Sequence, residues 1–230
     1  MNKTKNNILL IGKNSDLTAP LKELTIKNEI DLFLISRKDW DLKKRMPSDE
    51  TIKKIIAFEP ENLVFSAAQN FKTNNFEDIN YSIELINEHF LINCLSFISI
   101  SLLMQKKLKR KLKSIHVLSS LYGTYGRKSR MPYSISKHAL EGAIKCLSLE
   151  FPETQVIGYR PGFFKTKLTN KNLSKSEIDK ISNLIPLNRL GTPEEISKII
   201  LNNIINPRAY LTGQIINIDG GLSAGGFFEI

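Results

Sequence analysis

The stretch that decides the fold runs from Ser114 to Lys137 and reads SIHVLSSLYGTYGRKSRMPYSISK. Ile115 to Leu118 is a short apolar run that reads as a buried strand, ending in the pair Ser119-Ser120. A loop punctuated by glycines follows, and a helix then opens with Tyr133 and Lys137. Residues four apart on a helix share a face about one turn apart. Tyr133 and Lys137 can therefore point into one cleft, faced by Ser120 from the C-terminal end of the strand. A phenol loses its proton near pH ~10, and a neighbouring ammonium lowers that value by favouring the phenolate. Such a phenol can exchange a proton with a substrate oxygen that Ser120 holds by hydrogen bonding.

A Tyr thirteen positions after a Ser, followed by x-x-x-Lys, is met here by Ser120, Tyr133 and Lys137. In this the chain resembles the short-chain dehydrogenase/reductase family. A Tyr and a Lys four apart more often mean packing and a solvated charge, so the Ser spacing and the helix after Lys137 carry the weight. The resemblance runs from Asn7 to Leu222 and is tightest from Ser114 onward. It implies a single domain, 1–230, with an α/β, Rossmann-like, doubly wound parallel sheet and helices on both faces. The alternation of strand and helix patterns implies a parallel sheet independently. The resemblance also implies roles: Tyr133 as proton donor, Lys137 lowering its pKa and binding the nicotinamide ribose, Ser120 orienting the oxygen. Asn93 stands where the family has an Asn that supports a water and a proton path to the Lys; a buried Asn held by backbone groups is the plainer reading.

Working back towards the start, Asn7 to Ile11 (NILLI) is a buried parallel strand followed by Gly12. The family's next turn is TGxxxGxG, whose glycines let the backbone approach a pyrophosphate at a helix N-terminus. Gly12 alone survives; Asp16 and Thr18 stand in the later glycine positions, and Asp16 brings a negative charge to a phosphate site. Ser15 and Asp16 also read as helix caps. The resemblance places Gly12, Ser15 and Leu17 against the cofactor. Asp31 to Ile35 is the second strand. Arg37, just beyond it, suits the 2′-phosphate of NADP(H) in preference to NAD(H). Asp41 and Leu42 match the pair that contacts adenine in the family, and they follow strand two too closely for the usual intervening helix. One strand-helix unit is therefore missing between Ile35 and Asn62. Ser48 to Phe58 reads as a helix capped by Ser48, and Asn62 to Phe65 as a strand ending at Ser66-Ala67-Ala68-Gln69. Ala67 and Ala68 are small enough for a cofactor to lie close, while Gln69 replaces a family Gly.

Phe71 to Asn80 reads as a polar loop or short helix. Tyr81 to Leu112 reads as helix, break, and long helix. The helix from Tyr133 to Glu150 offers Ala139, Ala143, Cys146 and Leu147 as the face that meets a second subunit in relatives, implying a homodimer or homotetramer. Val156 to Tyr159 is a strand, and PGFFKT after it matches Pro-Gly-x-x-x-Thr, which sets Pro161, Gly162 and Thr166 beside the nicotinamide. Residues 167–190 are the substrate lid, with a helix near Ser174 to Leu184. Thr192-Pro193-Glu194-Glu195 is a helix start by its own chemistry, and Thr212 to Gly221 is the last strand and turn.

The net charge is +10 and 41% of residues are hydrophobic. The lysines are spread along the chain. The dense run Lys106 to Lys113 sits at a helix C-terminus, where the dipole favours cations. Nucleic-acid binding is therefore not the expected use of the charge; an anionic carbonyl substrate is. No apolar run is read as reaching the ~20 residues that span a bilayer. The N-terminus carries no secretory pattern, and Cys94 and Cys146 read as buried free thiols, so a cytoplasmic protein is expected. His89, His116 and His138 lack metal spacing and read as structural. The function implied is NADPH-linked reduction of a small carbonyl compound. Two alternatives stand: a nucleotide-sugar reductase or epimerase of surface polysaccharide synthesis, suggested by the shortened Asp41 region, and a non-catalytic binding protein of the same fold, suggested by Asp16, Thr18 and Gln69.

Overall fold

Short apolar runs form the strands, and amphipathic segments between them form the helices. Ile8–Ile11 is β1, Leu21–Lys27 is α1 and Leu32–Ile35 is β2. Helix α2 (Asp49–Phe58) leads to β3 (Asn62–Phe65). Helices α3 (Ile79–Phe90) and α4 (Ser96–Lys107) join through a π-helical turn, Leu91–Leu95, before β4 (Ser114–Leu118). Helix α5 (Met131–Glu150) and β5 (Gln155–Pro161) follow. Then come α6 (Lys167–Asn172), α7 (Lys175–Leu184), α8 (Pro193–Ile205) and β6 (Gln214–Ile218). The structure, a computed structural model, describes residues 6–71, 79–207 and 210–225.

The strands form one parallel sheet in the order β2-β1-β3-β4-β5-β6. This is the expected doubly wound arrangement, and its strand order reverses between β1 and β3. A crevice opens there, beyond the C-terminal strand ends. Alternate residues feed two cores. Leu9, Ile11, Leu63, Phe65, Ile115 and Val117 pack with Phe97, Ile100 and Met104 of α4 and Leu140 and Ile144 of α5. Ile8, Leu10, Val64, Ile157 and Tyr159 pack on the other face with Leu21 of α1 and Ile196, Ile200 and Ile204 of α8. Between β2 and β3 lies one helix, α2, as the spacing requires, and Ser48 caps it by accepting from the Thr51 amide at 3.3 Å.

Some expectations need correction. The break in the long helical segment is the π turn, so Tyr81–Lys107 is one continuous helix of 27 residues, long and apolar enough to cross a membrane by length and composition. The reading that no such run exists was misled by Glu84, Glu88 and His89 near its start. In this fold Ile92, Cys94, Phe97, Ile100 and Met104 of that helix lie in the protein core. Cys146 is exposed, not buried, and Leu147 is turned into the core, away from any subunit contact, because α5 presents its i, i+4, i+7 stripe of Leu140, Ile144 and Leu147 to the sheet. Residues 167–190 hold an additional short helix, α6, that their polar sequence concealed. The loop expected over Phe71 to Asn80 lies largely outside the described residues.

A polar chain crosses the core. Ser114 Oγ donates to Asn62 Oδ1 at 2.7 Å, so it accepts from His116 Nε2 at 2.8 Å. His116 Nδ1 then accepts from the Tyr159 hydroxyl at 2.8 Å, which accepts in turn from Asn203 Nδ2 at 3.1 Å. Burial holds His116 neutral, its pKa pushed down to about 3. Protonation at Nδ1 would remove the acceptor that Tyr159 needs. An unfolded His takes up its proton near pH ~6.5. Between that pH and about 3 the unfolded chain binds one more proton than the folded one, so stability falls as pH falls. Denaturant titrations from pH 7 to 4 should show the native protein losing more stability than His116→Asn, by on the order of 3 kcal/mol.

Candidate active site

The C-terminal ends of the strands surround a cleft of about 590 Å³. At the end of β1, Gly12 has φ +106°, and a Cβ there would sit 2.7 Å from the Ala67 amide nitrogen and 2.8 Å from Ser66 Oγ. Only a glycine lets the turn press so closely on β3. Thr18, in a family glycine position, is buried and bonds Ser66 Oγ at 2.9 Å, filling the space that a glycine leaves open. Ser15 and Leu17 line the cleft wall, and the Leu17 carbonyl accepts from Ser197 Oγ at 3.0 Å. Ser15 makes no side-chain cap. Asp16 lines the same wall, and its Oδ2 accepts from the Lys167 amide at 2.8 Å, so its carboxylate reaches across to the first residue of α6.

Beyond β2, Arg37 stands exposed on the cleft rim. The Asp39 carboxylate turns back onto Ser36, accepting from its hydroxyl at 2.6 Å and its amide at 2.8 Å, and these bonds hold it below the usual carboxylate range. Trp40 is buried, its indole nitrogen donating to the Lys44 carbonyl at 3.0 Å, and it anchors the short connection that also brings Asp41 and Leu42 to the cleft. Ala67 and Ala68 line the opposite wall at the end of β3.

Asn93 lies in the π turn, fully buried and behind the cleft lining. Its Oδ1 accepts from the Gln69 amide at 2.7 Å, and its Nδ2 donates to the Gln69 carbonyl at 2.9 Å and to Ser136 Oγ at 2.8 Å. The side chain thus pins the backbone at the residue that replaces a family glycine and ties it to α5.

Ser120, Tyr133 and Lys137 converge as their spacing requires. The Ser120 side chain faces the Tyr133 phenol and lowers its pKa, and it caps the 3-10 turn after β4, accepting from the Tyr122 amide at 3.2 Å. Lys137 Nζ donates to the Leu118 carbonyl at 2.8 Å and lies 5.7 Å from the Tyr133 ring centre. Burial pushes the Tyr133 phenol up to about 12, against the lowering by Ser120. Burial also draws Lys137 down to about 8, with Cys94 and Glu141 opposing. The expectation that the ammonium lowers the phenol's pKa is therefore not met in this structure. Desolvation outweighs a charge whose hydrogen bond is turned to a carbonyl, and the phenol keeps its proton at neutral pH.

Pro161 and Gly162 line the cleft at the end of β5, and Thr166 caps α6, accepting from the Thr169 amide at 3.1 Å. One turn after Lys137, buried Glu141 makes a two-armed ion pair with Arg160, Nε to Oε1 at 2.7 Å and Nη2 to Oε2 at 2.6 Å. Ser119 Oγ donates to the same Oε1 at 2.8 Å. Sequence reasoning passed over Glu141, Arg160, Trp40 and Tyr122. Glu141 was findable, since it continues the four-residue spacing of Tyr133 and Lys137; the others depend on contacts across the fold. Among the described residues no His, Cys, Asp and Glu cluster suits a metal ion.

A family model described as enoyl-(acyl carrier protein) reductase matches residues 58–223. The chain is 37% identical over 133 residues to the 3-oxoacyl-(acyl-carrier-protein) reductase FabG of Buchnera aphidicola subsp. Baizongia pistaciae, covering 57% of this chain and 54% of that protein. The chain spans about half the length of such curated relatives. Among solved structures, the Thermoplasma acidophilum aldohexose dehydrogenase in ligand-free form superposes with TM-score 0.85 at 18% identity, over 96% of this chain and 94% of that one. ElxO with NADP bound gives TM-score 0.83 at 22% identity, over 96% and 99%. These two likenesses are of fold.

Because Gly12 combines a left-handed backbone with a close approach, Gly12→Ala is expected to cost about 2–3 kcal/mol of folding stability. Denaturant unfolding at pH 7 measures it, and a loss below half a kcal/mol would show that the turn relaxes freely.

Proposed function

The chain belongs to the short-chain dehydrogenase/reductase family, and on that premise we propose that it is an NADP(H)-dependent reductase of a small carbonyl compound. The observation that carries the reading is the meeting of Ser120, Tyr133 and Lys137 on one cleft wall. The cleft suits a dinucleotide in its donors and its small residues. Gly12 with Ala67 and Ala68 leaves room along the strand ends, Asp41 and Leu42 flank the adenine end, and Pro161, Gly162 and Thr166 stand at the opposite end beside Tyr133. The Asp16 carboxylate is a cost to phosphate binding that its bond to the Lys167 amide lessens. A reduced nicotinamide held there would supply the hydride.

The protein's own part is proton delivery and positioning. Tyr133, protonated at neutral pH, donates its proton to the substrate oxygen as charge develops there. Ser120 faces the phenol across the cleft wall, so its hydroxyl can share the same oxygen. Lys137 places a positive charge behind the phenol and stabilises the phenolate left after transfer. Asn93 acts through Gln69 and Ser136 by fixing the wall on which these groups sit. Residues 167–190 serve as the lid, and the exposed surfaces of α4 and α5 as the face for a second subunit. The FabG relatives support this choice of reaction class. The contrary reading, a binding protein that has given up the reaction, draws on Asp16; fluorescence titration with NADPH decides between them.

Tyr133→Phe should lower turnover by at least about 10²-fold while NADPH affinity stays within a few-fold; steady-state rates and a cofactor titration check both, and retained turnover would remove Tyr133 from the chemistry. Arg37→Ala should weaken NADPH by about tenfold to a hundredfold, the worth of a charge-assisted contact of ~1.5–3 kcal/mol, and leave NADH unchanged. Equal affinity of the unaltered protein for the two cofactors would overturn the assignment of Arg37.

A further inference from the structure

The loop between β4 and α5 carries Arg127, Lys128 and Arg130; Arg130 acts electrostatically on Tyr133, and Arg127 stands one ring further out, on Tyr122. Tyr122 meets the Tyr133 ring edge-on, with centres 6.4 Å apart. The Arg127 guanidinium lies 4.9 Å over the Tyr122 ring and donates to its hydroxyl. Arg127 and Tyr122 both line the cleft. Arg130 caps the start of α5, and its Nη1 donates to both the carbonyl and Oδ1 of Asn70, each at 2.9 Å. Asn70 also lines the cleft. Among the described residues, neither guanidinium has a carboxylate partner, whereas Arg160 and Arg189 each have one.

Two guanidiniums held near one another, with no counter-charge among the described residues, repel, and the pKa of Arg130 is lowered by its burial and by Arg127. Arg127 is fixed by stacking and one hydrogen bond, which leaves most of its five donors unused. Ser129 between the two holds a left-handed backbone, φ +59°, a strain that this loop bears while presenting both arginines. An arrangement of this kind is matched by an oxyanion, which both forks can grip while removing the repulsion.

We propose that Arg127 and Arg130 form a subsite for an anionic oxygen group, carboxylate or phosphate, on the carbonyl compound reduced beside Tyr133. The substrate class is then a keto acid or a phosphorylated ketone, with its charge about one aromatic ring away from the reacting oxygen. The inference rests on the reductase reading for the word substrate, but the subsite itself is testable without turnover.

In the full-length protein, the Nε–H NMR signals of Arg127 and Arg130 are assigned from their absence in Arg127→Gln and Arg130→Gln. Added inorganic phosphate, and separately acetate, is expected to move both signals with one dissociation constant. Arg127→Gln should then raise the constant read at Arg130 by about tenfold. Arg37→Ala, at the far end of the cleft, should leave it unchanged. The anion with the lower constant identifies the group. Unmoved signals, or an Arg130 constant indifferent to Arg127, overturn the subsite. In a second arm, kcat/KM for 4-oxopentanoate relative to its methyl ester should exceed about ten and fall towards one in Arg127→Gln, with NADPH affinity unaltered. Turnover without that preference overturns the substrate class and leaves the reductase reading standing. Absence of turnover on both ketones, with phosphate or acetate binding intact, counts against the reductase reading and for the subsite.

Discussion

A buried ammonium sets the terms for the active wall. Lys137 is 1% exposed, and an unpaired charge in the interior costs several kcal/mol. The chain meets that cost with the Leu118 carbonyl at 2.8 Å and with Glu141 one helical turn away. Both partners dictate neighbours. The Leu118 carbonyl is available because β4 ends there, so α5 must cross that strand end. Glu141 is itself buried and needs Arg160, which fixes α5 to the end of β5 through two short bonds. Ser119 joins the pair, and Ser120 next to it is thereby aimed at Tyr133. The position of the phenol follows from where a charge can be buried.

The same wall explains why Tyr133 is tuned as it is. Desolvation raises the phenol and lowers the ammonium, because it disfavours the charged form of each: the phenol keeps its proton more tightly and the ammonium less so. The cations of the neighbouring loop work at longer range, since Arg130 pulls the phenol down while Tyr122 pushes it up. The site balances opposed influences within a single turn of helix and one loop.

Periodicity carried most of the fold. Apolar runs such as Ile8–Ile11 and Leu63–Phe65 are buried on both faces, which only a parallel sheet covered by helices allows. Local chemistry carried the caps at Ser48, Ser174 and Thr192, because a cap is made within four residues. Contacts made at long range were hidden. Nothing near Asp16 announces Lys167, nothing near Asn93 announces Gln69, and Leu147 beside Cys146 does not declare which of the two faces the core. The π turn was hidden for another reason: one extra residue in a helix leaves the apolar pattern nearly intact while turning its later half by about 100°. The Tyr133 pKa was misjudged because sequence shows a charge nearby but not how much water is excluded.

The bond from Asp16 to the Lys167 amide has a consequence for how the molecule is made. The turn after β1 is finished by groups supplied much later in the chain, Lys167 on one side and Ser197 on the other. A ribosome adding roughly 5–20 residues per second reaches Lys167 on the order of ten to thirty seconds after Asp16 has been joined. Through that interval the first turn has its glycine but lacks its last partners, and the Asp16 carboxylate remains in water. The nascent chain can therefore build the β1–β3 core early while the loop after β1 stays unset. Setting that loop waits on residues joined 151 and 180 positions later, so it couples the turn after β1 to the safe arrival of α6 and α8.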